Sequence, residues 1–487
     1  MNILPLMKRR AGFLITASNT LMLWTAAGIC AMAATAAEER VRATPPTALD
    51  RYVASPDTNY QWQVVNTFTA DQAKVVVIEL TSQSWLTPQE VNRTLWRHWL
   101  TLTIPSNATH QTALLLIGGG SNDRPAPTKP DANALLLAST TRSVVANLSN
   151  VPNQPLVFAD RTNRMSEDAL IAYTWDKFLR TGDERWPARL PMTKAAVRAM
   201  DTITAFCATA QGGQRTIRHF VVAGASKRGW TTWAAGAVDP RVTGIMPVVI
   251  DVLNVVPSLK AHYAAYGFFA PAVGNYTYER IPDWMDTPQC RQLMRIEDPY
   301  EYRARYTLPK FIVTAAGDQF FPVDSARYYF DALPGPKYLR TIPNADHSLR
   351  GTDGWMSLLA FYEALLNQRP LPEFEWKHGE PGQLELTCKS QPTEVKLWTA
   401  TNPKARDFRL ESLGPAWTST TLSPTRPGSY SVRVPKPAEG WTAYFVELKF
   451  PSGVALPFVF TTDARVVPDT YPFKWTAPAS PPPPRTQ

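Results

Sequence analysis

Short runs dominated by Val, Ile, Leu and Ala recur along the first three-quarters of this chain and constrain its fold more than any other feature. A strand that is buried on both faces has a continuous apolar run, and such strands separated by helical stretches form parallel sheets. The pattern between residues 44 and about 372 therefore predicts an α/β domain with a mostly parallel sheet. The runs lie at 74–80, 99–105, 113–117, 143–148, 220–224, 242–250, 310–315 and 338–342.

Two segments depart from this pattern, one within and one after the predicted α/β domain, to which we assign residues 37–371. Residues 252–305 are rich in Tyr, Phe and Trp and lie between two core strands. We interpret them as an inserted cap; a long helical connection with core aromatics is the alternative. Short alternating runs separated by Pro and Gly predict a β-sandwich over 372–475. The proline-rich tail at 476–487 is expected to lack regular structure.

The N-terminus has the layout of an export signal. Residues 8–10 (Lys-Arg-Arg) precede a largely apolar stretch, and residues 34–36 (Ala-Thr-Ala) offer a small-residue cleavage site. We therefore expect residues 1–36 to be a signal peptide and the mature protein to be periplasmic or secreted. Because the apolar stretch is long, an uncleaved membrane anchor is the alternative.

Charge and cysteine content limit the classes of partner. The formal charge of +9 falls to +6 without residues 8–10, and the Lys and Arg residues are scattered, which excludes a nucleic-acid partner. Loose association with an anionic membrane surface stays compatible with this charge. Cys207, Cys290 and Cys388 lack metal-type spacing, and one disulfide such as Cys207–Cys290 is as compatible as three free thiols. No metal or cofactor motif is visible.

A candidate nucleophile lies at Ser226. The run 220–224 predicts a strand that ends at Gly224, and a helix is predicted after Ser226. A strained strand-to-helix turn of this kind projects the Ser hydroxyl above a sheet in the nucleophile elbow G-x-S-x-G. Here the second glycine, Gly229, is one place late, and Arg228 takes the usual small position. A plain helix N-cap role for Ser226 is the alternative.

The candidate acid and base follow in the chain order of α/β-hydrolases, Ser…Asp…His. Asp318 comes directly after the predicted strand 310–315, and His347 comes just after the predicted strand 338–342. Asp251, which ends an earlier strand, is the alternative acid. The sequence therefore predicts an α/β-hydrolase fold with an inserted cap and a C-terminal β-sandwich.

Backbone N–H groups are needed to hold the oxyanion of an acyl-transfer reaction. One is expected from Lys227, directly after the nucleophile, and the other from Gly119 or Gly120, which follow the predicted strand 113–117. A plain turn is the alternative for the glycine run. The Lys227 ammonium either points at the oxyanion or is solvated.

Six blocks of this sequence resemble the PhoPQ-activated pathogenicity-related protein family, which includes autocrine proliferation repressor-like proteins, and the resemblance extends over about residues 52–468. It implies an α/β-hydrolase-like fold, a signal peptide and a β-rich C-terminal part. Some members are tied to resistance to cationic antimicrobial peptides, and some act like dipeptidyl peptidases. Gln319 departs from the acidic residue more usual there. The blocks are 152–155 (PNQP), 166–175 (SEDALIAYTW), 224–230 (GASKRGW), 298–300 (DPY), 317–321 (GDQFF) and 333–339 (LPGPKYL).

Two functions follow as hypotheses. The first is an exported serine hydrolase acting on a small-molecule ester or peptide; the late-glycine elbow also resembles that of glucuronoyl esterases, which favours an ester. Glu167 and Asp168 would bind a peptide α-amino group if they face the pocket. The alternative is that they only stabilise the start of a helix, where the helix dipole favours negative charge. The second is a non-catalytic binding or signalling protein that retains the fold.

Overall fold

The structure, a computed structural model, describes residues 44–70 and 72–478. The predicted signal peptide and residues 479–487 of the predicted tail lie outside the described residues. The strands are β1 (Gln61–Ala70), β2 (Ala73–Ser84), β3 (Leu95–Pro105), β4 (Thr112–Ile117), β5 (Val145–Leu148), β6 (His219–Ala225), β7 (Val242–Val248), β8 (Lys310–Ala315), β9 (Lys337–Ile342), β10 (Phe374–His378), β11 (Gln383–Cys388), β12 (Glu394–Asn402), β13 (Thr418–Thr421), β14 (Ser429–Arg433), β15 (Trp441–Phe450), β16 (Phe458–Thr461) and β17 (Arg465–Val467).

Helices connect most of the strands of the first 370 residues. The α-helices are α1 (Ala48–Ala54), α2 (Ala132–Thr141), α3 (Glu167–Thr181), α4 (Arg189–Ala208), α5 (Lys227–Val238), α6 (Val255–Tyr266), α7 (Gly274–Tyr278), α8 (Pro288–Glu297), α9 (Gly354–Leu366) and α10 (Leu410–Leu413). Short 3-10 helices lie at Pro271–Val273, Ile281–Trp284, Pro299–Arg305 and Ser325–Tyr328. Within the described ranges, none of the helices combines the length and apolar character needed to cross a bilayer.

The central sheet has the strand order β1-β2-β3-β5-β4-β6-β7-β8-β9. The neighbours in the part of this order that runs from β5 through β4 to β9 are parallel. The pairs β1–β2, β2–β3 and β3–β5 are antiparallel. From β2 to β9 this is the order of the α/β-hydrolase fold, so the predicted fold class is confirmed. β1 was not predicted, because this edge strand has no buried residue and its sequence lacks the continuous apolar run that identified the other strands of the sheet.

Alternate residues of the central strands face two different hydrophobic cores. In β6, Phe220 and Val222 pack into one core while Val221 and Ala223 pack into the other. Side chains of a strand point alternately to its two faces, so a strand buried on both faces must be apolar throughout. Burial on both faces therefore produces the continuous apolar runs of the sequence.

Between β7 and β8 the chain forms the helical insertion from α6 to the 3-10 helix Pro299–Arg305. It coincides with the segment predicted as a cap. Val255, Leu259, Val273 and Tyr276 of this insertion line a pocket that also contains Ser226. The insertion therefore covers the carboxyl-terminal edge of the sheet, where the candidate catalytic residues lie.

The C-terminal strands form two sheets that face each other, as expected for a sandwich. One sheet has the order β10-β11-β14, and the other continues the central sheet through β9-β16-β15-β12-β13. The junction is the single antiparallel pair Thr461–Leu339. Phe374 of the small sheet packs against Phe450 and Phe460 of the other sheet at ring-centroid distances of 5.5 and 5.9 Å. The C-terminal part thus shares both a sheet and a core with the domain before it.

The three cysteines of the described residues are buried and unpaired. Cys207 and Cys290 belong to the same hydrophobic core as Phe220 and Val222 of β6. The structure therefore has the free-thiol arrangement rather than a Cys207–Cys290 disulfide.

Candidate active site

Ser226 lies at a sharp turn between β6 and α5. Its backbone has φ 56° and ψ −125°, and its N–H donates to Val248 O at 2.8 Å. Non-glycine residues in such backbone regions carry about 1–3 kcal/mol of strain and persist only where the surroundings enforce them. The side chain does not cap α5, so the N-cap alternative lacks its hydrogen bond. This is the geometry of a nucleophile elbow.

The two glycines of the elbow face each other. A Cβ on Gly229 would lie 2.9 Å from Gly224 O, and a Cβ on Gly224 would lie 2.6 Å from Arg228 O. Both positions therefore require glycine for close packing of α5 on β6. The shifted second glycine and the bulky Arg228 are accommodated because Gly224 has no side chain.

Asp318 and His347 are brought together by the ends of neighbouring parallel strands. Oδ2 of Asp318 lies 2.8 Å from Nδ1 of His347, and Oδ1 accepts the N–H of Phe320 at 2.7 Å. Gln319 accepts the backbone N–H of His347 at 2.9 Å, and the Phe320 ring lies 4.4 Å from the imidazole. Asp318 is only 3 % exposed. The carboxylate therefore fixes the imidazole with Nδ1 protonated, which leaves Nε2 as the basic nitrogen.

Asp251, the alternative acid, has a different partner. The Tyr329 hydroxyl donates to Asp251 Oδ1 at 2.6 Å, and the carboxyl is 5 % exposed. Burial and the nearby carboxylates, including Asp318, raise the pKa of Asp251 to about 7 in spite of the Tyr329 hydrogen bond. The structure thus brings Asp318, rather than Asp251, to His347.

A narrow, mostly apolar pocket lies beside Ser226. Its cavity volume is about 50 Å³, whereas pockets for drug-sized ligands have roughly 300–1,000 Å³. Phe320, which packs on His347, lines this pocket together with Ser226. The remaining lining residues are Asp168, Trp175, Lys227, Trp230, Ile250, Val252, Val255, Leu259, Val273, Tyr276 and Phe321.

The predicted oxyanion donors lie at two strand ends. The backbone N–H groups of Lys227, Gly119 and Gly120 have no hydrogen-bond acceptor among residues 44–70 and 72–478. A Cβ on Gly119 would lie 2.6 Å from Nη2 of Arg228, so any larger residue there would displace the guanidinium of Arg228. The loop is therefore packed against the elbow rather than being a free turn.

Four charged side chains form a compact network beside Ser226. Arg228 donates to both oxygens of Glu167 at 2.6 and 2.7 Å, and the Lys227 ammonium lies 2.7 Å from Asp168 and 3.2 Å from Glu167. Burial opposes ionisation of Glu167, but Arg228 and Lys227 together hold its pKa at about 2. Tyr276 of the cap donates to Asp168 at 3.1 Å. The two acids are already paired, so a substrate ammonium would have to compete with Lys227 and Arg228.

The family of this chain is shown by two sequence comparisons. A sequence model of the PhoPQ-activated pathogenicity-related protein family matches residues 49–409. The chain belongs to this family. A relative, the autocrine proliferation repressor protein A of Dictyostelium discoideum, is 36% identical over 456 residues, which cover 88% of this chain and 92% of that protein.

Solved structures similar to this PhoPQ-related protein include carbohydrate esterases. An acetyl xylan esterase from Paenibacillus sp. R4 matches 68% of this chain and 99% of its own, with 14% identity and a TM-score of 0.46. A glucuronoyl esterase from Solibacter usitatus matches 65% of this chain and 91% of its own, with 14% identity and a TM-score of 0.38. At these TM-scores the similarity is too distant to indicate a substrate.

Several residues around the site of this PhoPQ-related protein were not predicted. The Gln154 amide donates to Gly120 O and to Glu167, and Gln154 Oε1 accepts the Glu167 N–H. Arg189 donates to the carbonyl of Lys227 at 2.8 Å from a fully buried position. In the sequence, the signal for this network was Arg228, which occupies an elbow position where a small residue is usual.

Proposed function

We propose that this protein is a serine hydrolase that cleaves an ester or peptide bond through an acyl-enzyme on Ser226. The observation that carries the proposal is the 2.8 Å contact of Asp318 with His347, at strand ends next to the strained turn of Ser226. His378 also contacts a buried carboxylate, Asp463, at 2.6 Å, so the distinctive feature of the Asp318–His347 pair is its place at strand ends beside the Ser226 turn. Together these features match the roles of nucleophile, base and orienting acid.

The proposed reaction begins at Nε2 of His347. This nitrogen accepts the proton of the Ser226 hydroxyl while Oγ attacks the substrate carbonyl carbon, and Asp318 stabilises the imidazolium that forms. The backbone N–H groups of Lys227 and of Gly119 or Gly120 stabilise the oxyanion. The imidazolium then protonates the departing alcohol or amine. Water attacks the acyl-enzyme by the same sequence in reverse and releases the acid.

The pocket dimensions limit the acyl group. A cavity of about 50 Å³ with aromatic walls has room for a short acyl chain but not for a long one. We therefore expect p-nitrophenyl acetate to be a better substrate than p-nitrophenyl octanoate. The Lys227 and Arg228 network has no net charge, so neither a cationic nor an anionic acyl group is favoured at this position.

The test is labelling of purified protein with a fluorophosphonate, which requires an activated serine. We expect wild-type protein to be labelled and Ser226→Ala not to be labelled. Ser348→Ala is a matched control, since its hydroxyl is exposed and bonds to Asp346 in the loop next to His347. A panel of p-nitrophenyl esters and dipeptide anilides then distinguishes ester from peptide chemistry. Folded wild-type protein that fails to label would refute the hydrolase proposal and favour the binding or signalling role.

We also propose that the protein is exported, on the support of its N-terminal sequence. Cleavage after residues 34–36 would give a mature chain that starts at Ala37. Mass spectrometry of the protein from a secreting host checks this. Full-length protein in the membrane fraction would indicate an uncleaved anchor, and full-length protein in the cytosol would contradict export.

A further inference from the structure

One loop of the C-terminal sandwich reaches the two loops that carry Asp318 and His347. We call residues 403–417, between β12 and β13, the clamp loop. Residues 316–324 after β8 are the acid loop, and residues 343–349 after β9 are the histidine loop. Loops of this kind at strand ends are usually the most mobile parts of a domain. Here both of them are bonded to the clamp loop.

The first contact is a buried ion pair. The Arg406 guanidinium donates to Oδ1 and Oδ2 of Asp324 at 3.2 and 2.6 Å, and each side chain is 1% exposed. The Tyr471 ring lies 4.1 Å from the guanidinium on another side. A bidentate pair of this type fixes both position and orientation. The far end of the acid loop is therefore held by the sandwich.

The second contact lies directly before Asp318. The N–H of Leu410 donates to Gly317 O at 2.9 Å, and the N–H of Gly317 donates to Ala345 O at 2.9 Å. A Cβ on Gly317 would lie 2.8 Å from both the Leu410 backbone nitrogen and Ala345 O. Gly317 is therefore held between the clamp loop and the histidine loop.

The third contact fixes the histidine loop. The amide of Asn344 donates to Trp417 O at 2.9 Å, and Trp417 N–H donates to Asn344 Oδ1 at 2.9 Å. Asn344 has φ 52°, a conformation that Asn tolerates better than most residues. This reciprocal pair lies three residues before His347. Of the described residues that line the Ser226 pocket, only Phe320 and Phe321 belong to either of these two loops.

We propose that the C-terminal sandwich positions the acid–base pair, with Arg406 and Asn344 as positioning residues, and that it is part of the catalytic unit rather than a separate binding module. The clamp loop touches both loops whose relative position sets the Asp318–His347 distance. The proposal rests on the hydrolase function for its kinetic consequence, but the positioning itself is a structural claim. A misplacement of about 1 Å in such a pair lowers turnover by on the order of 100-fold.

The first test measures positioning without reference to activity. Amide hydrogen exchange is followed in the full-length wild-type protein, in Arg406→Met and in Asn344→Gly, which removes both amide bonds without straining the positive φ. We expect faster exchange in residues 316–324 and 343–349, and unchanged exchange in residues 224–230. Arg305→Met is the control, since the Arg305 side chain is also 1% exposed and makes a bidentate pair with Asp50, which is 16% exposed, at 2.7 and 2.9 Å.

The outcomes separate this proposal from the hydrolase proposal. Unchanged exchange in both loops, or a uniform increase over the whole protein, would overturn the positioning role. If wild-type protein is not labelled by the fluorophosphonate and hydrolyses neither esters nor anilides, but the two loops alone loosen in the variants, the hydrolase proposal fails and the positioning role stands. If Arg406→Met does not fold, Asn344→Gly decides, because its side chain is half-buried and carries no charge.

The second test is kinetic. With p-nitrophenyl acetate we expect Arg406→Met and Asn344→Gly to lower kcat by about 10- to 100-fold and to change KM much less, because only Phe320 and Phe321 of the Ser226 pocket belong to the loosened loops. Arg406→Lys retains the charge and is expected to recover part of kcat. Combined with Asp318→Asn, either variant should add little further loss, since both changes act on the same pair. Fully additive losses, or a loss confined to KM, would contradict the proposal.

Discussion

Asp251→Asn separates the two acids that the sequence offers to His347. Asp251 is buried against Tyr329. Burial raises its pKa from 3.8 to about 7, the Tyr329 hydrogen bond opposes this, and the charges of Asp318, Asp324 and Asp463 add to it. If Asp251 is structural, its substitution changes the pH dependence of stability and leaves turnover within several-fold of wild type.

The expected magnitude follows from proton linkage. Between pH 3.8 and about 7 the folded protein keeps a proton on Asp251 that the unfolded chain has released. The unfolded state then binds fewer protons, so the free energy of unfolding falls as the pH rises and levels off above the folded pKa. Each pKa unit corresponds to about 1.4 kcal/mol, so the two units from pH 5 to pH 7 give a loss of about 3 kcal/mol.

The assay is urea unfolding of wild-type protein and Asp251→Asn at pH 5 and pH 8. The asparagine cannot ionise, so the stability of the variant relative to wild type should increase by about 3 kcal/mol between these two conditions. Any packing penalty of the asparagine is the same at both pH values and cancels in the comparison. A pH-independent difference would refute the raised pKa. A loss in kcat of about 10⁴-fold would instead identify Asp251 as the partner of His347.

Three further predictions can be checked with the same protein. Asp318→Asn should lower kcat by about 10³- to 10⁴-fold in steady-state ester hydrolysis, whereas Asp346→Asn, next to the histidine, should stay near wild type. Gly119→Ala places a Cβ 2.6 Å from Arg228 and should lower kcat by at least about tenfold. In the control Gly118→Ala the added Cβ meets only contacts of 3.3 Å or more, so kcat should stay near wild type. The same kcat in both variants would argue against the oxyanion role of Gly119. Burial raises the pKa of the three thiols, so iodoacetamide should modify them slowly in the native protein and fully in denaturant without reductant, which a disulfide would prevent.

The positions of the candidate catalytic residues were predictable because they follow strands with strong local signals. Ser226, Asp318 and His347 each come just after an apolar run, and parallel strands bring their carboxyl ends to one edge of the sheet. The choice between Asp318 and Asp251 was not decided by the sequence. Both follow buried strands, and only the lateral position of each strand in the sheet selects the acid that reaches the imidazole.

The network around the nucleophile could not be predicted in the same way. Arg228 and Glu167 are 61 positions apart, and their pairing depends on how α3 and α5 meet. Such long-range polar pairs leave no periodic pattern in the chain. The joining of the two parts of the molecule through Thr461 and Leu339 was missed for the same reason, because alternating strands after residue 372 predict a sandwich but not which edge it extends.

The pairing of β16 with β9 has a consequence for how the chain is made. During synthesis from the N-terminus, β9 is made before β16, so its outer edge has unpaired backbone groups. The face of β9 that packs against Phe460 in the finished protein is exposed at that stage. An open apolar edge of this kind recruits other chains, and partly folded chains that expose one aggregate readily. A chain that ends at residue 371 is therefore expected to self-associate. In the full chain this tendency ends only when the residues after 371 have folded and covered β9.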